Sequence, residues 1–352
     1  MTIDIDHHKL MYHPDRVAEW MKNGDCYPIY VEIGPTNICN HKCSFCALDF
    51  IVGNGKIEFI NSDLMVKTLK EMGKNRVKSV MFAGEGEPLL HKDIGLFVKT
   101  SKQCGMDVSI TTNGIALTKE KMEQCIPYLS WIRFSIDSGS SENYSKVHGT
   151  KSRDFEILKN NLERVVKFRN ENNLGVTIGA QFLAISQNIN EAPKLAEMLK
   201  SIGVDNLQIK PYSHHPSSSN DFSIDSEYCD KLEKQLMKFN SDKFKILFRR
   251  ATIERIQCGI TYNECYGSPF FALIDGRGNV INCNLFYNND EFTYGNLYKN
   301  SFEEIWQSEK RKEVLEKMRK KGVKECRVGC RIDPVNRYLD RLKNPLEHDN
   351  FL

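Results

Sequence analysis

The sequence predicts an α/β fold in which helices surround a parallel sheet. Short apolar segments alternate with helical segments from residue 28 to residue 212, as in repeated strand–helix–strand units. Three of the helical segments begin at suitable N-cap positions, which are Asn61 to Asp63, Thr118 and Asn190. We expect strands at Pro28–Ile33, Val77–Ala83, Val108–Thr111, Trp131–Ile136, Val176–Phe182 and Leu207–Lys210. We expect helices at Asp63–Met72, Ile94–Gln103, Lys119–Cys125, Phe155–Asn170 and Asn190–Ile202.

The C-terminal third follows a different pattern. The segment His214–Asp225 is rich in Ser, Pro and Asn, which is typical of a linker or loop. We expect a helix at Ser226–Asn240, then a β-hairpin that turns at Asp275–Gly278, then a helix at Ser301–Lys320. We therefore predict an N-terminal extension (1–27), a core (28–220), a small α+β domain with a linker helix (221–335), and a tail without an assigned role (336–352).

The composition is that of an ordinary globular protein, with 40% hydrophobic and 27% charged residues. A net charge of +3 is too small to indicate binding to nucleic acid or to a membrane surface. The N-terminal residues lack an apolar signal segment, and no apolar stretch is long enough to span a bilayer, so we expect a cytoplasmic protein. Disulfides are disfavoured there, so the grouping of the twelve cysteines needs another explanation.

Three of these cysteines, Cys39, Cys43 and Cys46, follow the first predicted strand with the spacing C-x3-C-x2-C. Three thiolates from one loop can hold a single metal centre, but a closed structural zinc site needs four ligands. His41 lies inside the same short loop and would strain a tetrahedral site as the fourth ligand. The set therefore favours a 4Fe–4S cluster with one iron open to a small molecule.

Residues 35–46, PTNICNHKCSFC, resemble the signature loop of the radical S-adenosylmethionine (radical SAM) superfamily. The resemblance implies a partial (β/α)6 TIM-like barrel, in agreement with the number of predicted strands. It implies that the methionine part of S-adenosylmethionine (SAM) chelates the open iron. It also implies an external electron donor such as a flavodoxin, reductive cleavage of SAM to a 5′-deoxyadenosyl radical, and abstraction of a hydrogen atom from a substrate.

Further residues match the same family. Residues 84–88, GEGEP, are similar to its Gly-Gly-Glu-Pro element, with Glu85 in place of a glycine. Polar residues also end the later predicted strands, and together behind the cysteine loop they favour a ligand site, although each alone is typical of a turn. The resemblance implies that SAM is contacted by Phe45, near the adenine, and by Gly84, Glu85, Gly86, Glu87, Asn113, Ser135, Asp137 and Gln181.

A second cysteine set consists of Cys265, Cys283, Cys326 and Cys330. Four thiolates can enclose a zinc ion or a 4Fe–4S cluster, and the spacing does not decide between them. Residues 271–283, 295–297 and 301–306 resemble the C-terminal extension called SPASM, or its shorter form, Twitch. The C-x2-C-x5-C motif of the two-cluster form is missing from the sequence. The resemblance therefore implies one auxiliary 4Fe–4S cluster, which accepts or relays an electron.

Two substrate classes follow from the resemblance. The one-cluster form is similar to sugar-alcohol dehydrogenases, which favours a sugar, aminocyclitol or nucleotide sugar that is oxidised, epimerised or dehydrated. Enzymes that modify ribosomal peptides often carry an N-terminal recognition domain, and only 27 residues precede the first strand here, so we favour the carbohydrate. A zinc-binding scaffold protein is the non-enzyme alternative. The sequence identifies no catalytic side chain.

Several basic and aromatic residues are candidate substrate contacts. Arginines can bind phosphate, although surface charge explains them equally well. The candidates are Lys210, Tyr212, His214, His215, Arg249, Arg250, Arg327 and Arg331.

Overall fold

The computed structural model describes residues 8–52, 55–222, 226–250, 252–253, 258–327 and 329–351. Within these residues ten strands form one sheet. They are β1 (Tyr30–Ile33), β2 (Ser79–Phe82), β3 (Asp107–Thr112), β4 (Trp131–Ser135), β5 (Thr177–Ala184), β6 (Asn206–Pro211), β7 (Lys245–Phe248), β8 (Phe271–Ile274), β9 (Asn279–Ile281) and β10 (Thr293–Asn296). Their order in the sheet is β10-β9-β8-β1-β2-β3-β4-β5-β6-β7.

Strands β1 to β7 are parallel, each to the next. The six strands predicted from the sequence correspond to β1 to β6, and the predicted α/β architecture is confirmed. Parallel strands bring their carboxyl ends to one edge of the sheet, where ligand sites of such folds form. The loop that carries Cys39, Cys43 and Cys46 begins just beyond the end of β1, at this edge.

Side chains alternate between two environments along the central strands. In β4, Ile132 and Phe134 are fully buried in the core under the helices, whereas Trp131, Arg133 and Ser135 are only partly buried. Successive residues of a strand point to opposite faces, so the second group faces the barrel interior. The interior is therefore lined by polar as well as aromatic groups.

The edges of the sheet extend the predicted core. Strand β7 pairs with β6 and was not predicted from the sequence. At the other edge, β8 pairs in parallel with β1, and the predicted hairpin β8–β9 is present. Gly278, in its turn, has φ +77°, which favours glycine. The core and the C-terminal region thus share one sheet, and the boundary predicted near residue 220 stays a prediction.

The described helices lie mostly where the sequence predicts them. Asn61 and Thr118 are N-caps whose side chains accept hydrogen bonds from the N–H groups of Leu64 and Lys121. The helices are α1 (Pro14–Asn23), α2 (Ser62–Lys74), α3 (Ile94–Gln103), α4 (Lys119–Cys125), α5 (Ser141–Val147), α6 (Arg153–Glu171), α7 (Ala192–Ile202), α8 (Ser226–Leu236), α9 (Phe302–Gln307), α10 (Glu309–Lys321) and α11 (Asp333–Lys343).

Two predictions about helices were wrong in detail, and α1, α5 and α11 were not predicted. The helix expected at Ser301–Lys320 is split into α9 and α10 because Ser308 is extended and caps the N–H of Arg311. Asn190 lies in a 3-10 turn, and its side chain does not cap α7. Leu339 of α11 packs with Trp20 of α1 in a separate apolar cluster. Both ends of the described chain therefore meet on one side of the molecule.

None of the described helices combines the length and the apolar character needed to cross a membrane.

Candidate functional site

The loop after β1 is held against the end of β2 by backbone contacts. The N–H of Glu87 donates to the carbonyl of Ile38 over 2.8 Å. A side chain at Gly86 would place its Cβ 2.4 Å from the carbonyl oxygens of Thr36 and Ile38, so only glycine permits this approach. The GEGEP turn thus fixes the position of the loop that carries Cys39.

The three thiols of this loop are partly enclosed, and they lie close enough together for the charge of one to raise the pKa of another. Burial raises the pKa of Cys39 to about 12, and burial also raises the pKa of Cys43 and of Cys46. Asp137, Cys39 and Cys46 raise the pKa of Cys43 further. Such thiols become thiolates only when a metal centre supplies positive charge. Their chemistry therefore fits a metal cluster better than a free nucleophile.

His148 and Asp137 lie directly behind the cysteine loop. The N–H of Asp137 donates to Nε2 of His148 over 3.2 Å, so the ring proton lies on Nδ1, which is 3.3 Å from Sγ of Cys43. Burial lowers the pKa of His148 and keeps its ring neutral. His148 therefore presents an N–H donor to the sulfur of Cys43.

The same region contains a compact group of potential ligand atoms. Among the described residues, His41, Cys43 and His148 are the one set of three whose ligand atoms lie within 4.8 Å of one another. Both ring nitrogens of His41 are buried without a hydrogen bond, and Nε2 is 3.7 Å from a carboxylate oxygen of Asp154. Burial lowers the pKa of His41 to about 4, so its ring is neutral.

Glu87 connects the end of β2 to the end of β3. Its buried carboxylate accepts hydrogen bonds from Thr112 Oγ1 (2.6 Å) and from the N–H groups of Leu89 (3.0 Å) and Asn113 (2.8 Å). The side chain of Asn113 donates to Asn40 over 2.7 Å and lies 3.8 Å from the sulfur of Cys39. Glu87 is thus occupied by the protein itself, and Asn113 borders the cysteine loop.

Asp137 is also engaged by the protein. One carboxylate oxygen accepts a hydrogen bond from the N–H of Leu183, and the other lies 3.3 Å from Nε2 of His148. Burial raises the pKa of Asp137 to about 8. Ser135 and Gln181 are neighbours in the β4–β5 register and are partly buried, facing the interior. Of the three, Ser135 and Gln181 are the more open to a ligand.

Phe45 packs with Val147, Ile185 and Tyr212 in a small apolar cluster at the mouth of the barrel. Its ring meets His148 edge-on, with the ring centroids 5.5 Å apart. This cluster offers an apolar surface beside the cysteine loop, as expected for a residue that packs near a flat aromatic ligand.

The side chain of Glu85 contacts the C-terminal hairpin. Its Oε1 accepts a hydrogen bond from the N–H of Gly276 over 2.8 Å, in the turn between β8 and β9. Its Oε2 is buried without a hydrogen-bond partner. Burial, followed by the charge of Asp275, raises the pKa of Glu85 to about 7. The residue that departs from the family's glycine therefore links β2 to the C-terminal hairpin.

The second cysteine set gathers in the C-terminal region. Burial raises the pKa of Cys326 to about 12 and that of Cys330 to about 11, and the proximity of Cys265 raises both further. Burial raises the pKa of Cys283, with further contributions from Cys330, Cys265 and Cys326. Ser268 and Asn336 donate to the sulfur of Cys265 over 3.3 and 3.6 Å. Four thiols thus share one enclosed region.

The sulfurs of this set are spaced more widely than those around a bound zinc ion. In the described part of the chain, no three of these four sulfurs lie within 4.8 Å of one another. A tetrahedral zinc–thiolate site needs sulfurs about 3.8 Å apart, from bonds of about 2.3 Å. A larger inorganic cluster fits the wider arrangement better.

The candidate substrate contacts are distributed over several places. Tyr212 and His214 bind the carbonyl of Asn220, over 2.6 and 3.0 Å, and His215 lies 3.1 Å from the carbonyl of Asn284. Arg250 forms surface ion pairs with Asp230 and Glu233, which overturns its proposed role as a phosphate contact. The first three residues organise the loop after β6.

The remaining candidates surround the barrel interior. Arg331 pairs with Glu32, and Arg327 donates to the carbonyls of Ser213 and His214. Lys210 is on β6, and Arg249 directly follows β7. Arg133 of β4 belongs to the same group but was missed by the sequence analysis. Its place between Trp131 and Ser135, in alternation with apolar residues, could have indicated that its side chain faces the interior.

Comparison with known proteins agrees with this arrangement. The sequence model of the radical SAM superfamily matches residues 33–181, and that of an iron–sulfur cluster-binding domain, SPASM, matches residues 265–331. A tungsten-containing aldehyde ferredoxin oxidoreductase cofactor-modifying protein from Pyrococcus furiosus is 25% identical over 80% of this chain and 81% of its own length.

Two further relatives match over a smaller part of their length. An S-adenosylmethionine-dependent nucleotide dehydratase from Lacinutrix mariniflava is 36% identical over 31% of this chain and 23% of its own. A probable GTP 3′,8-cyclase from Methanocaldococcus jannaschii is 30% identical over 49% of this chain and 55% of its own. This chain thus spans about a quarter of the dehydratase and about half of the cyclase.

The fold is that of solved radical SAM structures. Streptococcus suis SuiB bound to S-adenosylmethionine superposes with a TM-score of 0.67 at 16% identity, over 88% of this chain and 72% of SuiB. SuiB bound to its precursor peptide SuiA gives a TM-score of 0.68 at 16% identity, over 95% and 77%. This chain therefore belongs to the radical SAM superfamily, with 4Fe–4S clusters, S-adenosylmethionine as cofactor, and a C-terminal iron–sulfur domain of the SPASM type.

Proposed function

We propose that this chain is a radical SAM oxidoreductase-type enzyme whose substrate is a small carbohydrate: a sugar, an aminocyclitol or a nucleotide sugar. The observation that carries the proposal is the polar interior between the two cysteine sets. Gln181 and Lys210 face it, and Oε1 of Gln208 is buried there without a hydrogen-bond partner. Hydroxyl groups both donate and accept hydrogen bonds, so such a lining suits a sugar.

In this proposal Cys39, Cys43 and Cys46 hold the first cluster, and their number leaves one iron open for SAM. When bound, the cluster and SAM supply the 5′-deoxyadenosyl radical that abstracts a hydrogen atom from the substrate. Phe45 offers an apolar surface to the adenine, and Asn113 lies beside Cys39, where its amide can donate to the cofactor. Gly84, Glu85, Gly86, Glu87, Ser135, Asp137 and Gln181 complete the proposed SAM contacts.

Several of these residues act by fixing the protein. Glu87 holds the end of β3 against the end of β2 through three hydrogen bonds. Asp137 keeps the ring of His148 oriented toward Cys43. Second-shell contacts of this kind orient metal ligands and tune the centre they hold. We therefore assign Glu87 and Asp137 mainly as positioning residues.

Cys265, Cys283, Cys326 and Cys330 are the proposed ligands of the auxiliary cluster. Four thiolates leave no iron open to substrate, so the role of this site is to accept or relay an electron. Such a site suits oxidation, in which the substrate radical loses one electron and a proton. An external donor such as a flavodoxin would reduce the first cluster, and the location of the protein in the cytoplasm is part of the same proposal.

The relatives support a small-molecule substrate. The dehydratase and the cyclase that match this chain are named for reactions of nucleotides. The SuiB structure contains the precursor peptide SuiA, and this is a finding about SuiB. At 16% identity, the likeness of this chain to SuiB shows only that the two share a fold. A ribosomal peptide is therefore the competing substrate class, and peptides are tested beside the carbohydrates.

The test uses protein purified and reconstituted without oxygen, with dithionite as reductant. We expect about eight iron atoms per chain and release of 5′-deoxyadenosine. The release should accelerate with nucleotide sugars or sugar phosphates, but not with peptides. The Cys39→Ala variant should retain about four iron atoms and form no 5′-deoxyadenosine. Zinc in place of iron, or no cleavage of SAM by the iron-loaded protein, would contradict the proposal.

A further inference from the structure

Three basic side chains lie near one another in the barrel interior. Arg133 is on β4, Lys210 is on β6, and Arg249 follows β7. The N–H of Arg249 donates to the carbonyl of Ile209 over 3.0 Å, so Arg249 and Lys210 are neighbours across the two strands. We call these three residues the interior cation group.

A cavity opens beside two members of this group, and Lys210 is not part of its lining. Its volume is about 290 Å³, and its lining includes Arg133, Arg249 and Gln208. Its lining also includes Gly179, the partner of Arg133 in the register of β5, where a Cβ would meet the side chain of Asn206 at 2.7 Å. The volume is near the lower end of ligand pockets, which begin at about 300 Å³.

Two of the three side chains in this group have no carboxylate partner among the described residues. Within the described ranges, Lys210 and Arg133 form no ion pair and no hydrogen bond through their side chains. Arg133 lies over the ring of Trp131, 4.6 Å from its centroid. Burial, and then the charges of Arg327, Arg331, Arg249 and Arg133, lower the pKa of Lys210 to about 7. An enclosed excess of positive charge is costly unless an anion accompanies it.

Two nearby arginines, in contrast, have partners within the protein. Arg331 forms an ion pair with Glu32, and Arg327 donates to backbone carbonyls of the loop after β6. Both also flank cysteines of the second set, whose thiolates carry negative charge when they hold a metal cluster. Among the described residues of this region, the positive charges without a carboxylate partner are therefore those of Lys210 and Arg133.

We propose that the interior cation group binds a phosphate or diphosphate group of the substrate. This inference rests on the proposed function and narrows it to phosphorylated small molecules, such as a sugar phosphate or a nucleotide sugar, because a cationic aminocyclitol would be repelled. One guanidinium group can donate two parallel hydrogen bonds to phosphate oxygens. The charge of three cations is matched better by a phosphate dianion or a diphosphate trianion than by the single charge of a carboxylate.

The position of the group suits this role. Asp137 is four positions after Arg133 and lies just beyond the end of β4, about 13 Å away at about 3.3 Å per residue. Asp137 lies behind the cysteine loop, beside His148. In this proposal the rest of the substrate spans that distance, from the phosphate at Arg133 toward the region beside Asp137.

The experiment is calorimetric titration of the reconstituted holoenzyme with inorganic pyrophosphate, in the presence of SAM and without oxygen. The variants are Lys210→Gln and Arg133→Gln. Lys210→Arg retains the charge, and Lys70→Gln removes an exposed lysine of α2 as the matched control. Citrate, titrated in parallel, distinguishes carboxylate binding from phosphate binding. Iron content and circular dichroism confirm that each variant is folded.

We expect pyrophosphate to bind about tenfold or more weakly to Lys210→Gln and to Arg133→Gln than to the wild type. The Lys210→Arg and Lys70→Gln variants should bind it as the wild type does. Raising the salt concentration should weaken binding to the wild type more steeply than binding to the two glutamine variants.

Equal affinity of the wild type and both glutamine variants would overturn the inference, as would citrate binding without pyrophosphate binding. The proposed function is tested separately by 5′-deoxyadenosine release from the same samples. Release without pyrophosphate binding would refute the phosphate site and leave the enzyme class intact. Pyrophosphate binding without release by iron-loaded protein would support the phosphate site and contradict the radical reaction.

Discussion

The buried carboxylate of Glu87 accepts a hydrogen bond of 2.8 Å from the backbone N–H of Asn113. This contact ties the end of β3, where Asn113 borders Cys39, to the turn that holds the cysteine loop. Two adjacent strand ends are therefore fixed relative to each other by one side chain. The geometry of the first cysteine loop depends on this residue even if it never touches SAM.

We expect the Glu87→Gln variant to be less stable by about 1 to 3 kcal/mol, because an amide cannot accept all three hydrogen bonds of the carboxylate. SAM affinity should fall as well, since the loop is no longer held. Chemical denaturation of the metal-free chain measures the first effect, and the change of the cluster's electron paramagnetic resonance signal on adding SAM measures the second. Glu197→Gln, on the exposed face of α7, is the control. Unchanged stability and SAM binding would refute the positioning role.

Glu85 predicts a specific pH dependence. Burial raises its pKa from the ordinary 4.5 to about 7, so the folded chain binds its proton more tightly than the unfolded chain. Between these two pH values the folded state holds more protons, and stability therefore falls as the pH rises. The Glu85→Gln variant lacks this loss. Between pH 5 and pH 7.5, the free energy of unfolding of this variant should therefore rise by about 2 to 3 kcal/mol relative to that of the wild type, at about 1.4 kcal/mol per pKa unit.

Denaturation of the metal-free wild type and of Glu85→Gln at several pH values in this range measures that difference. Other titrating groups are common to both proteins and cancel. A difference in stability that stays constant with pH would show that Glu85 is ionised throughout, despite its burial.

Asp25 and Arg311 join the segment after α1 to α10. The guanidinium of Arg311 is fully buried, bonds both carboxylate oxygens of Asp25 over 2.6 and 2.7 Å, and stacks on Trp306 at 3.9 Å from the ring centroid. Asp25→Asn leaves a buried cation without its counter-charge, at a cost of about 3 kcal/mol. Arg311→Met leaves a partly exposed carboxylate and should cost less.

A double-mutant cycle by thermal or chemical unfolding tests this order. The double variant Asp25→Asn/Arg311→Met should recover part of the stability that Asp25→Asn loses. If Asp25→Asn proves the milder change, the ion pair contributes little and stacking on Trp306 holds the segment.

The second cysteine set predicts a loss of iron confined to one cluster. The double variant Cys265→Ser/Cys283→Ser should contain about four iron atoms per chain instead of about eight. The signal of the first cluster and its response to SAM should remain, because the two sets have separate ligands. Cys258→Ser, which changes an exposed cysteine outside both sets, should keep the full iron content. Full iron in the double variant would contradict the ligand assignment.

The sequence was sufficient for the features that depend on local pattern. Strands β1 to β6 were predicted because their apolar segments alternate with helices, and the cysteine loop was recognisable because its ligands lie within eight residues of one another, Cys39 to Cys46. The caps Asn61 and Thr118 act on N–H groups three residues away. Each of these signals is contained in a short stretch of chain.

What the sequence could not reveal depends on contacts between distant segments. Glu85 reaches Gly276, 191 residues away, and no local signal distinguishes this from a contact with SAM. Arg250 looked like a phosphate contact until the fold brought it to Glu233. Arg133 faces the interior only because β4 is surrounded by other strands, and α11 is stabilised by packing against α1.

We propose that this chain takes a hydrogen atom from a phosphorylated carbohydrate. The most direct test is to incubate the reduced holoenzyme with SAM and sugar phosphates or nucleotide sugars deuterated on the sugar ring, and to measure deuterium in 5′-deoxyadenosine by mass spectrometry. We expect one deuterium in the 5′-deoxyadenosine formed with the true substrate, and much less labelled product with the Lys210→Gln variant. Unlabelled 5′-deoxyadenosine with every such compound, together with deuterium transfer from a labelled peptide, would contradict it.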